Sequence, residues 1–481
     1  MTRRFLLSLA AVLAIGACSD QNPTGNSNPA ELASTTGTIG VNVLLKAPAT
    51  AANRTELAKY GTLMDEIQEL NVIRVKMEAT QLPAVQALPF VAAATPDAER
   101  NASPVDAVAA TDFANGLSTW DQDAVNVTNF GVGRTAKYDG TGVYVAIIDT
   151  GLLPSWRQYF PQERIAEEYA KSFGGGGGER GNVSEQPNKW ESDVNSHGTH
   201  VTSTVLGYSF AGTPINGTAP LATVIPVKVL NQNGSGWSST VARGIMYIAE
   251  LKRTVLANDP VVINMSLGGS QLDAVEKAAI DAAVEAGVII VASAGNSGPN
   301  GFMGYPGAYG PVISVASVGY VRQWQSANWW RDEVSNTSDP TDAANYYISA
   351  FSARRRSTGA NPQDLDVAAP GSLVVGPYQL NQSNSVSFFF LSGTSMSSPH
   401  VAGIVALMLD KNPTLGVAAA GRAAKAETIL QNSAVPIPFP AGGVSVLPTR
   451  GATTPQPVPS WNTDRSGSGL ATANAALAAT R

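Results

Sequence analysis

The sequence has little cysteine, histidine or charge. Its 481 residues include one cysteine, three histidines and 14% charged residues, where about 25% charged residues is typical. A single cysteine excludes an intrachain disulfide. The net charge of −6 offers no basic surface to a phosphate backbone, so the composition argues against a nucleic-acid-binding function.

Long apolar runs are also scarce. The one candidate, Phe5 to Ala17, follows two arginines and ends at small residues, which is typical of a signal peptide. The end of this run resembles a bacterial lipobox, so residues 1–18 are interpreted as a lipoprotein-type signal peptide and Cys18 as the lipidation site. Ordinary signal cleavage that removes Cys18 is the alternative. No later run is long enough to span a bilayer, so membrane contact is expected only through Cys18.

A short patterned stretch lies between two segments rich in small and polar residues. Residues 19–38 are predicted to be a flexible tether, and residues 100–117 a loose linker that a processing protease can reach. Residues 39–99 are predicted to form a small folded domain. Its strands are expected at Ile39 to Ala47, Asn71 to Met77 and Val91 to Ala94, and its helices at Ala52 to Tyr60 and Gln81 to Leu88.

The segment GTSMSSPHVAG, Gly393 to Gly403, is the strongest candidate for chemistry. A glycine turn precedes apolar residues at helical spacing, which places Ser395 at the start of a helix. Backbone N–H groups lack intrahelical partners there and the helix dipole is positive, so an oxyanion beside Ser395 would be stabilised. A serine that merely caps the helix is the plainer alternative.

A serine nucleophile needs a base, and that base needs an orienting partner. The three histidines are His197, His200 and His400. The apolar run VYVAIIDTG predicts a buried parallel strand that delivers Asp149 to the sheet edge where sites of open α/β folds form. The order Asp149, His197, Ser395 is one of the established chain orders of a catalytic triad.

Four blocks together resemble the subtilisin-like serine proteases (subtilases, peptidase S8 family). They are IIDTG around Asp149, NSHGTHV around His197, VASAGNSGP around Asn296 and GTSMSSPHVAG around Ser395. The resemblance assigns residues 118–481 to a catalytic domain. It implies an α/β fold with a doubly wound, mainly parallel sheet, preceded by a small α+β, ferredoxin-like propeptide that serves as chaperone and inhibitor.

The resemblance also implies roles for single residues. Asp149, His197 and Ser395 would be catalytic, and the side-chain amide of Asn296 would complete the oxyanion hole. The substrate pocket would be lined by Ser266, Leu267, Gly268, Ala294, Gly295 and Gly304, with Gly304 at its floor. Because Gly304 has no side chain and no acid stands beside Asn296, large apolar residues are expected at P1, the residue on the acyl side of the scissile bond.

Alternating strand and helix patterns agree with a parallel sheet covered on both faces. Strands are expected at Ala222 to Leu230, Val261 to Gly269 and Gly287 to Asn296, and helices at His197 to Leu206, Ser238 to Leu256, Leu272 to Ala286 and Ala418 to Asn432. Leu152 to Asn188, with its glycine run Gly174 to Gly178, is predicted to be a long surface loop. Residues 320–348 form an aromatic insertion that is either a substrate platform or, as we favour, a packing cluster.

No metal site is predicted. His197 and His200 lack both the spacing and the glutamate of the zinc protease motif. Calcium stays open, because no ligand spacing supports a site among Asp332, Glu333, Asp339 and Asp342.

These features predict an exported serine endopeptidase of broad specificity, made as a self-processing zymogen and acting as a monomer on polypeptide substrates, with its own propeptide as inhibitor. It would be held at the bacterial envelope while lipid-anchored and be extracellular after processing. An α/β-hydrolase esterase is disfavoured because Ser395 lies in GTSMS and not in GxSxG. A sedolisin-type peptidase would have a glutamate at position 197, and a catalytically dead binding module would lack a triad residue.

Overall fold

The computed structural model describes residues 37–101, 106–109, 118–129, 133–174, 184–186, 189–210, 213–331, 342–358, 362–379, 386–416 and 422–481. The predicted signal peptide, Cys18 and all but the last two residues of the predicted tether lie outside these ranges. Among the helices of the described residues, none combines the length and apolar character that a membrane span requires.

The first described unit has the order β-α-β-β-α-β, with four antiparallel strands in the spatial order β2-β3-β1-β4. Its elements are β1 (Thr38–Leu45), α1 (Ala51–Leu57), β2 (Gly61–Ile67), β3 (Val72–Glu78), α2 (Leu82–Gln86) and β4 (Val91–Pro96). This is the ferredoxin-like arrangement that the resemblance implied. Strand β2 was not predicted, because most of its residues are only half-buried and its sequence does not alternate clearly between apolar and polar.

The expectation of loose backbone in residues 100–117 is wrong for the described part. Strand β5 (Glu99–Asn101) pairs antiparallel with Ser235–Trp237, and β6 (Asp106–Ala109) pairs antiparallel with Phe388–Ser392. Sequence patterning misses such short strands because both gain their hydrogen bonds from distant parts of the chain.

The second unit is built on a nine-stranded, mainly parallel sheet with the order β11-β10-β14-β9-β16-β17-β18-β19, in which β20 also pairs with β18. Its strands are β9 (Tyr144–Asp149), β10 (Lys171–Gly174), β11 (Ser184–Glu185), β14 (Thr223–Lys228), β16 (Val261–Met265), β17 (Ile289–Ser293), β18 (Ile313–Tyr320), β19 (Tyr346–Ile348) and β20 (Val367–Pro370). The described helices around it are α3 (Trp120–Ala124), α4 (His197–Leu206), α5 (Ser238–Arg253), α6 (Ala274–Glu285), α7 (Thr394–Lys411), α8 (Arg422–Ser433), α9 (Thr463–Ser466) and α10 (Ala473–Ala479).

The remaining strands form small antiparallel sheets of two or three strands. They are β7 (Thr128–Asn129), β8 (Gly133–Arg134), β12 (Gly207–Phe210), β13 (Thr213–Asn216), β15 (Ser235–Trp237), β21 (Val374–Pro377), β22 (Phe388–Ser392), β23 (Ser445–Val446) and β24 (Gln456–Pro457). Strand β22 lies between β21 and β6 and leads directly into α7.

Both faces of the large sheet are covered, which confirms the predicted doubly wound α/β fold. Alternate residues of β9 belong to different hydrophobic cores: Val145 and Ile147 pack with α4 and α7, whereas Ala146 and Ile148 pack with α5 and α6. Strands buried on both faces have continuous apolar runs, which is why β9, β16 and β17 were predicted closely. Their carboxyl ends deliver Asp149 and the segments around Ser266 and Ala294 to one edge of the sheet.

The prediction that Leu152 to Asn188 is a surface loop is wrong for much of its described part. It contains three single 3-10 turns and strand β10, and it buries Trp156, Tyr159 and Phe160. Gly174 belongs to β10, and Gly175 to Gly178 lie outside the described residues. Aromatic residues without regular spacing were the missed signal, since large aromatic side chains commonly contribute to cores.

The aromatic insertion packs into the protein. Trp329 and Trp330 are 1% and 2% exposed, and Trp329 stacks on Tyr320 and on Phe390 of β22. The described part of residues 320–348 therefore supports the packing interpretation and not an exposed substrate platform.

Candidate active site

Asp149 and His197 form a buried hydrogen-bonded pair. Asp149 ends strand β9 and His197 begins helix α4, and both side chains have no solvent exposure. The distances from His197 Nδ1 to Oδ1 and Oδ2 of Asp149 are 2.8 and 3.0 Å. The backbone N–H of Thr150 also donates to Asp149 Oδ1, at 2.7 Å. The carboxylate thus fixes the imidazole, whose Nε2 has no hydrogen-bond partner among the described residues.

Asp193 shapes the backbone that presents His197. Ser196 has a left-handed backbone with φ of 74°, a strained conformation for a residue with a side chain. Its N–H donates to Asp193 Oδ1 at 2.8 Å, and the hydroxyl of Thr199 donates to Asp193 Oδ2 at 3.1 Å. Burial raises the pKa of Asp193 to about 6, and the positive charge of Lys228 opposes that shift. The sequence analysis did not identify Asp193. It lies four residues before His197 and outside the N-cap position, which is Ser196, so the usual capping pattern gave no signal for it.

Ser395 lies in the first turn of helix α7, as predicted, and is 3% exposed. Its hydroxyl donates to the carbonyl oxygen of Ser266 at 3.2 Å, and Ser266 Oγ donates to the carbonyl oxygen of Ser395 at 2.7 Å. These two bonds tie the start of α7 to the carboxyl end of β16. Helices α4 and α7 pack against each other, so the helices whose first turns contain His197 and Ser395 are neighbours.

The amide of Asn296 is oriented by the residue that precedes Ser395. Both the N–H and the hydroxyl of Thr394 donate to Asn296 Oδ1 at 2.9 Å, which leaves Nδ2 to point elsewhere. A methyl group built on Gly393 would lie 3.4 Å from that Nδ2 and 3.7 Å from the backbone nitrogen of Ser395. Two N–H donors therefore surround one small space beside the serine, which is the arrangement that can stabilise an oxyanion.

The residues predicted to line the substrate pocket lie on three backbone segments. Two of them follow strands β16 and β17, and the third, which contains Gly304 and Tyr305, forms hydrogen bonds to both. The segment after β16 contains Ser266, Leu267 and Gly268, and the segment after β17 contains Ala294 and Gly295. Gly304 N–H donates to the carbonyl of Ala294 at 3.0 Å, and Tyr305 exchanges two backbone hydrogen bonds with Gly269, at 2.7 and 2.8 Å. A Cβ on Gly304 would lie 3.1 Å from the carbonyl oxygen of Gly269, so the backbone at Gly304 closely approaches the opposite segment.

The other two histidines have structural contacts. Burial, followed by the influence of His197, lowers the pKa of His200 to about 3, and its Nε2 lies 3.1 Å from the carbonyl oxygen of Val374. His400 lies between the carbonyl of Met396 and the carboxylate of Asp121, at 2.8 and 3.0 Å.

The described residues contain one group of three acids close enough to share a cation, namely Asp364, Asp366 and Glu427. Ser314 and Gln431 already donate hydrogen bonds to Asp366. Burial, then repulsion by Asp366, raises the pKa of Glu427 to about 8, so protonation relieves the repulsion at neutral pH. Of the acids considered for calcium, Asp332, Glu333 and Asp339 lie outside the described residues and Asp342 is exposed.

A comparison with protein-family models matches residues 140–475 to the subtilase family. The chain belongs to the subtilase family. Subtilisin DY of Bacillus licheniformis is 36% identical over 281 residues, which cover 58% of this chain and 80% of that protein. Subtilisin E of Bacillus subtilis is 31% identical over 282 residues, which are 58% of each protein. The family and these relatives make this subtilase a serine endopeptidase, as predicted.

Solved structures show the same fold. Fervidolysin from Fervidobacterium pennivorans, described as a keratinolytic enzyme related to subtilisin, aligns with a TM-score of 0.60 at 21% identity. The alignment covers 92% of this chain and 61% of fervidolysin. Sphericase aligns at 27% identity with a TM-score of 0.51, over 75% of this chain and 99% of sphericase. The alignment with fervidolysin extends beyond the matched subtilase domain.

Proposed function

We propose that this subtilase hydrolyses peptide bonds through Asp149, His197 and Ser395. The observation that carries the assignment is the buried contact of 2.8 Å between Asp149 and His197 Nδ1, combined with a second ring nitrogen that has no described partner. A base oriented in this way can accept the proton of a serine hydroxyl. Ser395 lies in the first turn of the neighbouring helix and is the serine in the matching motif.

The reaction is acyl transfer to water. Ser395 Oγ bonds to the scissile carbonyl carbon while its proton moves to His197 Nε2. The negative charge that develops on the carbonyl oxygen is stabilised by the N–H of Ser395 and by Nδ2 of Asn296. The C–N bond then breaks as His197 gives the proton to the leaving amine, and a water molecule repeats the sequence to release the acyl group. Asp149 stabilises the imidazolium throughout.

The polypeptide substrates that are cut best in trans carry a large apolar P1 residue. The intramolecular cut proposed below has Ala102, Ser103 or Pro104 at P1 and does not need that preference, because the fold already holds the chain at the site. The absence of a side chain at Gly304, together with the buried Leu267 and Ala294, supports a pocket that accepts apolar side chains. No acidic residue occurs in the matching wall segments, so a lysine or arginine at P1 would lack a partner and pay the cost of lost hydration.

Residues 39–99 act as the inhibitor and folding chaperone of this zymogen. Asp97 accepts hydrogen bonds from the side chain of Ser238 and the backbone of Ser239 at the start of α5, at 2.8 and 3.0 Å. Arg74 forms an ion pair with Asp97 at 2.9 Å, and both side chains are buried. A domain that satisfies the free N–H groups of a catalytic-domain helix supports a role in the folding of that domain.

Self-processing separates this inhibitor from residues 118–481. Strand β5 lies beside β15, whereas β6 is paired with β22, whose last residue, Ser392, lies three residues before Ser395. Strand β5 ends at Asn101, and the chain is next described from Asp106 in β6, beside the segment that leads into Ser395. This path supports a cut in the stretch between the two strands. If Cys18 carries the lipid, this cut also releases the protease from the envelope to the exterior, because the anchor lies on the inhibitor side of the cut. The released protease would act as a monomer.

Peptidase assays on a Ser395→Ala variant test the triad. The matched control is Ser397→Ala, which changes a serine in the same helix turn. The hydroxyl that it removes is buried and has no hydrogen-bond partner among the described residues. Casein and apolar-P1 peptides should be cut by the wild type and by Ser397→Ala, and not by Ser395→Ala. Activity retained by purified Ser395→Ala would refute the triad, and faster turnover of a lipid ester than of peptides would favour the esterase alternative.

A further inference from the structure

Strand β5 occupies a groove that leads to the nucleophile. Residues 99–101 pair antiparallel with Ser235–Trp237 on one side. On the other side, a Cβ on Gly269 would come within 2.3 Å of the carbonyl oxygen of Glu99. An extended peptide that adds itself to a strand edge in this way binds through its backbone, and its alternate side chains enter pockets.

The direction of β5 places it on the acyl side of the scissile bond. Asn101 is opposite Ser235, while Glu99 is opposite Trp237, farther from the loop residue Gln232. The carbonyl of Gln232 accepts a hydrogen bond from Asn195, close to His197, at 3.3 Å. The chain therefore approaches the catalytic residues from Glu99 toward Asn101.

The segment from Ser266 to Gly269, which faces β15 across the groove, shows how far Arg100 lies from the nucleophile. This segment runs from Ser266, which bonds to Ser395, to Gly269, which contacts Glu99. Three steps along an extended chain span about 10 Å. Arg100 therefore occupies a position about three to five residues before the scissile bond.

Arg100 is held in this groove by a buried acid. Its Nε donates to Oε1 of Glu276 at 2.9 Å, and its Nη2 donates to Oε2 of the same carboxylate. Nη2 also donates to the carbonyl of Gln271 at 3.2 Å. Arg100 and Glu276 are both fully buried. Burial alone would lower the pKa of Arg100, but the carboxylate of Glu276 raises it above its usual value.

Loss of the inhibitor strand would leave Glu276 without this guanidinium. Two other charges that act on Arg100 are Asp273 and Asp97, and both are acidic, so they cannot replace the lost cation. Glu276 is buried with this strand in place, so departure of the strand also hydrates the carboxylate. An arginine that enters the same position restores the two charge-assisted hydrogen bonds, which a neutral side chain of similar shape cannot do. A planar guanidinium that binds both carboxylate oxygens satisfies the site better than a lysine does.

We propose that Glu276 is a specificity-determining residue that selects an arginine in polypeptide substrates at the position occupied by Arg100. This inference rests on the proposed peptidase function and adds to it a second recognition point, separate from the apolar P1 pocket. A substrate would combine an arginine a few residues upstream with a large apolar residue at the scissile bond. The arginine of such a substrate would bind through an ion pair with Glu276, and its apolar residue would bind by burial in the P1 pocket.

The test compares arginine with citrulline, which has nearly the same shape but no charge. Internally quenched peptides carry phenylalanine at P1 and place arginine, citrulline or lysine at each of the second to sixth positions before the scissile bond. With mature wild-type enzyme, one position from the third to the fifth should favour arginine over citrulline by about 10- to 100-fold in kcat/KM. Lysine should fall between them.

The variant Glu276→Gln should reduce the ratio of arginine to citrulline at that position to about 1, while the citrulline peptide is still cut. The matched control Glu285→Gln, at the exposed end of the same helix, should keep the wild-type ratio. Unchanged arginine preference in Glu276→Gln would overturn the proposal. If Glu276→Gln does not mature, the wild-type comparison decides alone.

The outcomes separate this proposal from the proposed function. If the wild type cuts the phenylalanine peptides but treats arginine and citrulline alike at every position, the arginine proposal is wrong and the peptidase function stands. If no peptide is cut, the proposed function fails first.

Discussion

Thr394 donates both its backbone N–H and its hydroxyl to one atom, Oδ1 of Asn296, at 2.9 Å each. The residue before the proposed nucleophile thus orients the amide of the proposed oxyanion hole. The hydroxyl of Thr394 also accepts a hydrogen bond from the N–H of Gly295 at 3.0 Å. The two sides of the site are therefore connected by a threonine that touches no reacting atom.

Asn296→Ala should lower kcat by roughly 10²- to 10³-fold with little change in KM, because the amide acts on charge that exists only in the transition state. Steady-state kinetics on an apolar-P1 peptide measures both constants. An unchanged kcat would remove Asn296 from the oxyanion hole.

Thr394→Val should lower kcat by about 3- to 10-fold through the loss of one orienting hydrogen bond. Thr394→Ser keeps the hydroxyl and should retain nearly full activity. A positioning role predicts that kcat falls while KM does not change. The melting temperature of Thr394→Val should also fall, because the N–H of Gly295 loses its acceptor. Equal loss in the valine and serine variants would show that the hydroxyl does not orient Asn296.

The P1 pocket should accept Phe, Tyr, Leu and Met in preference to Lys, Arg and Asp, as a P1 peptide library can measure. Gly304→Val should shift the preference toward small P1 residues, since even a Cβ there would lie 3.1 Å from the backbone of Gly269. Gly310→Val is the control, because a Cβ on Gly310 would have no neighbour within 4 Å. A wild-type profile dominated by Lys or Arg at P1 would contradict the apolar pocket.

Maturation should release the enzyme from its anchor. Cells that express the wild type should yield a shorter soluble catalytic chain whose N-terminus lies between Asn101 and Asp106, and Ser395→Ala should stay full length in the membrane fraction. Fractionation, blotting and N-terminal sequencing provide the readout. Full-length, membrane-bound protein in both strains would refute self-processing and release.

Glu427 should make stability depend on pH. Its folded-state pKa of about 8 is above the usual 4.5, so the folded protein retains a proton that the unfolded chain releases. The stabilising contribution is fully present below about pH 4.5 and is lost as the pH rises through about 8. In a Ser395→Ala background, the melting temperature of Glu427→Gln should fall less between pH 6 and pH 9 than that of the parent. The exposed control Glu250→Gln should follow the parent, and an identical decline in Glu427→Gln would show that this carboxyl does not contribute.

The sequence predicts best the elements that are buried on both faces. Strands such as β9 and β16 have continuous apolar runs, and the blocks around Asp149, His197 and Ser395 are local in sequence, so each could be identified without knowledge of its neighbours. The positions of Asp149 and Ser395 at a strand end and a helix start followed from the same patterns.

Contacts between distant segments could not be predicted in this way. Arg100 and Glu276 are separated by 176 positions, and neither residue lies in a recognisable motif. Strand β5 forms because β15 provides its hydrogen-bond partner, and the aromatic residues of the 152–188 segment are buried because other parts of the chain cover them. These features depend on contacts between distant parts of the chain, and the local propensity of each segment does not indicate which partner it will have.

The most direct test of the account is covalent labelling of the purified mature enzyme with a fluorophosphonate, followed by intact mass measurement and peptide mapping. Attack by an activated serine forms an Oγ–P bond and expels fluoride. The account predicts one adduct per chain, on the peptide that contains Ser395, with loss of peptidase activity in proportion to labelling. Ser397→Ala should label as the wild type does, and Ser395→Ala should not label. An active enzyme that is unlabelled at Ser395, or that is labelled and inactivated at another residue, would contradict the proposed triad.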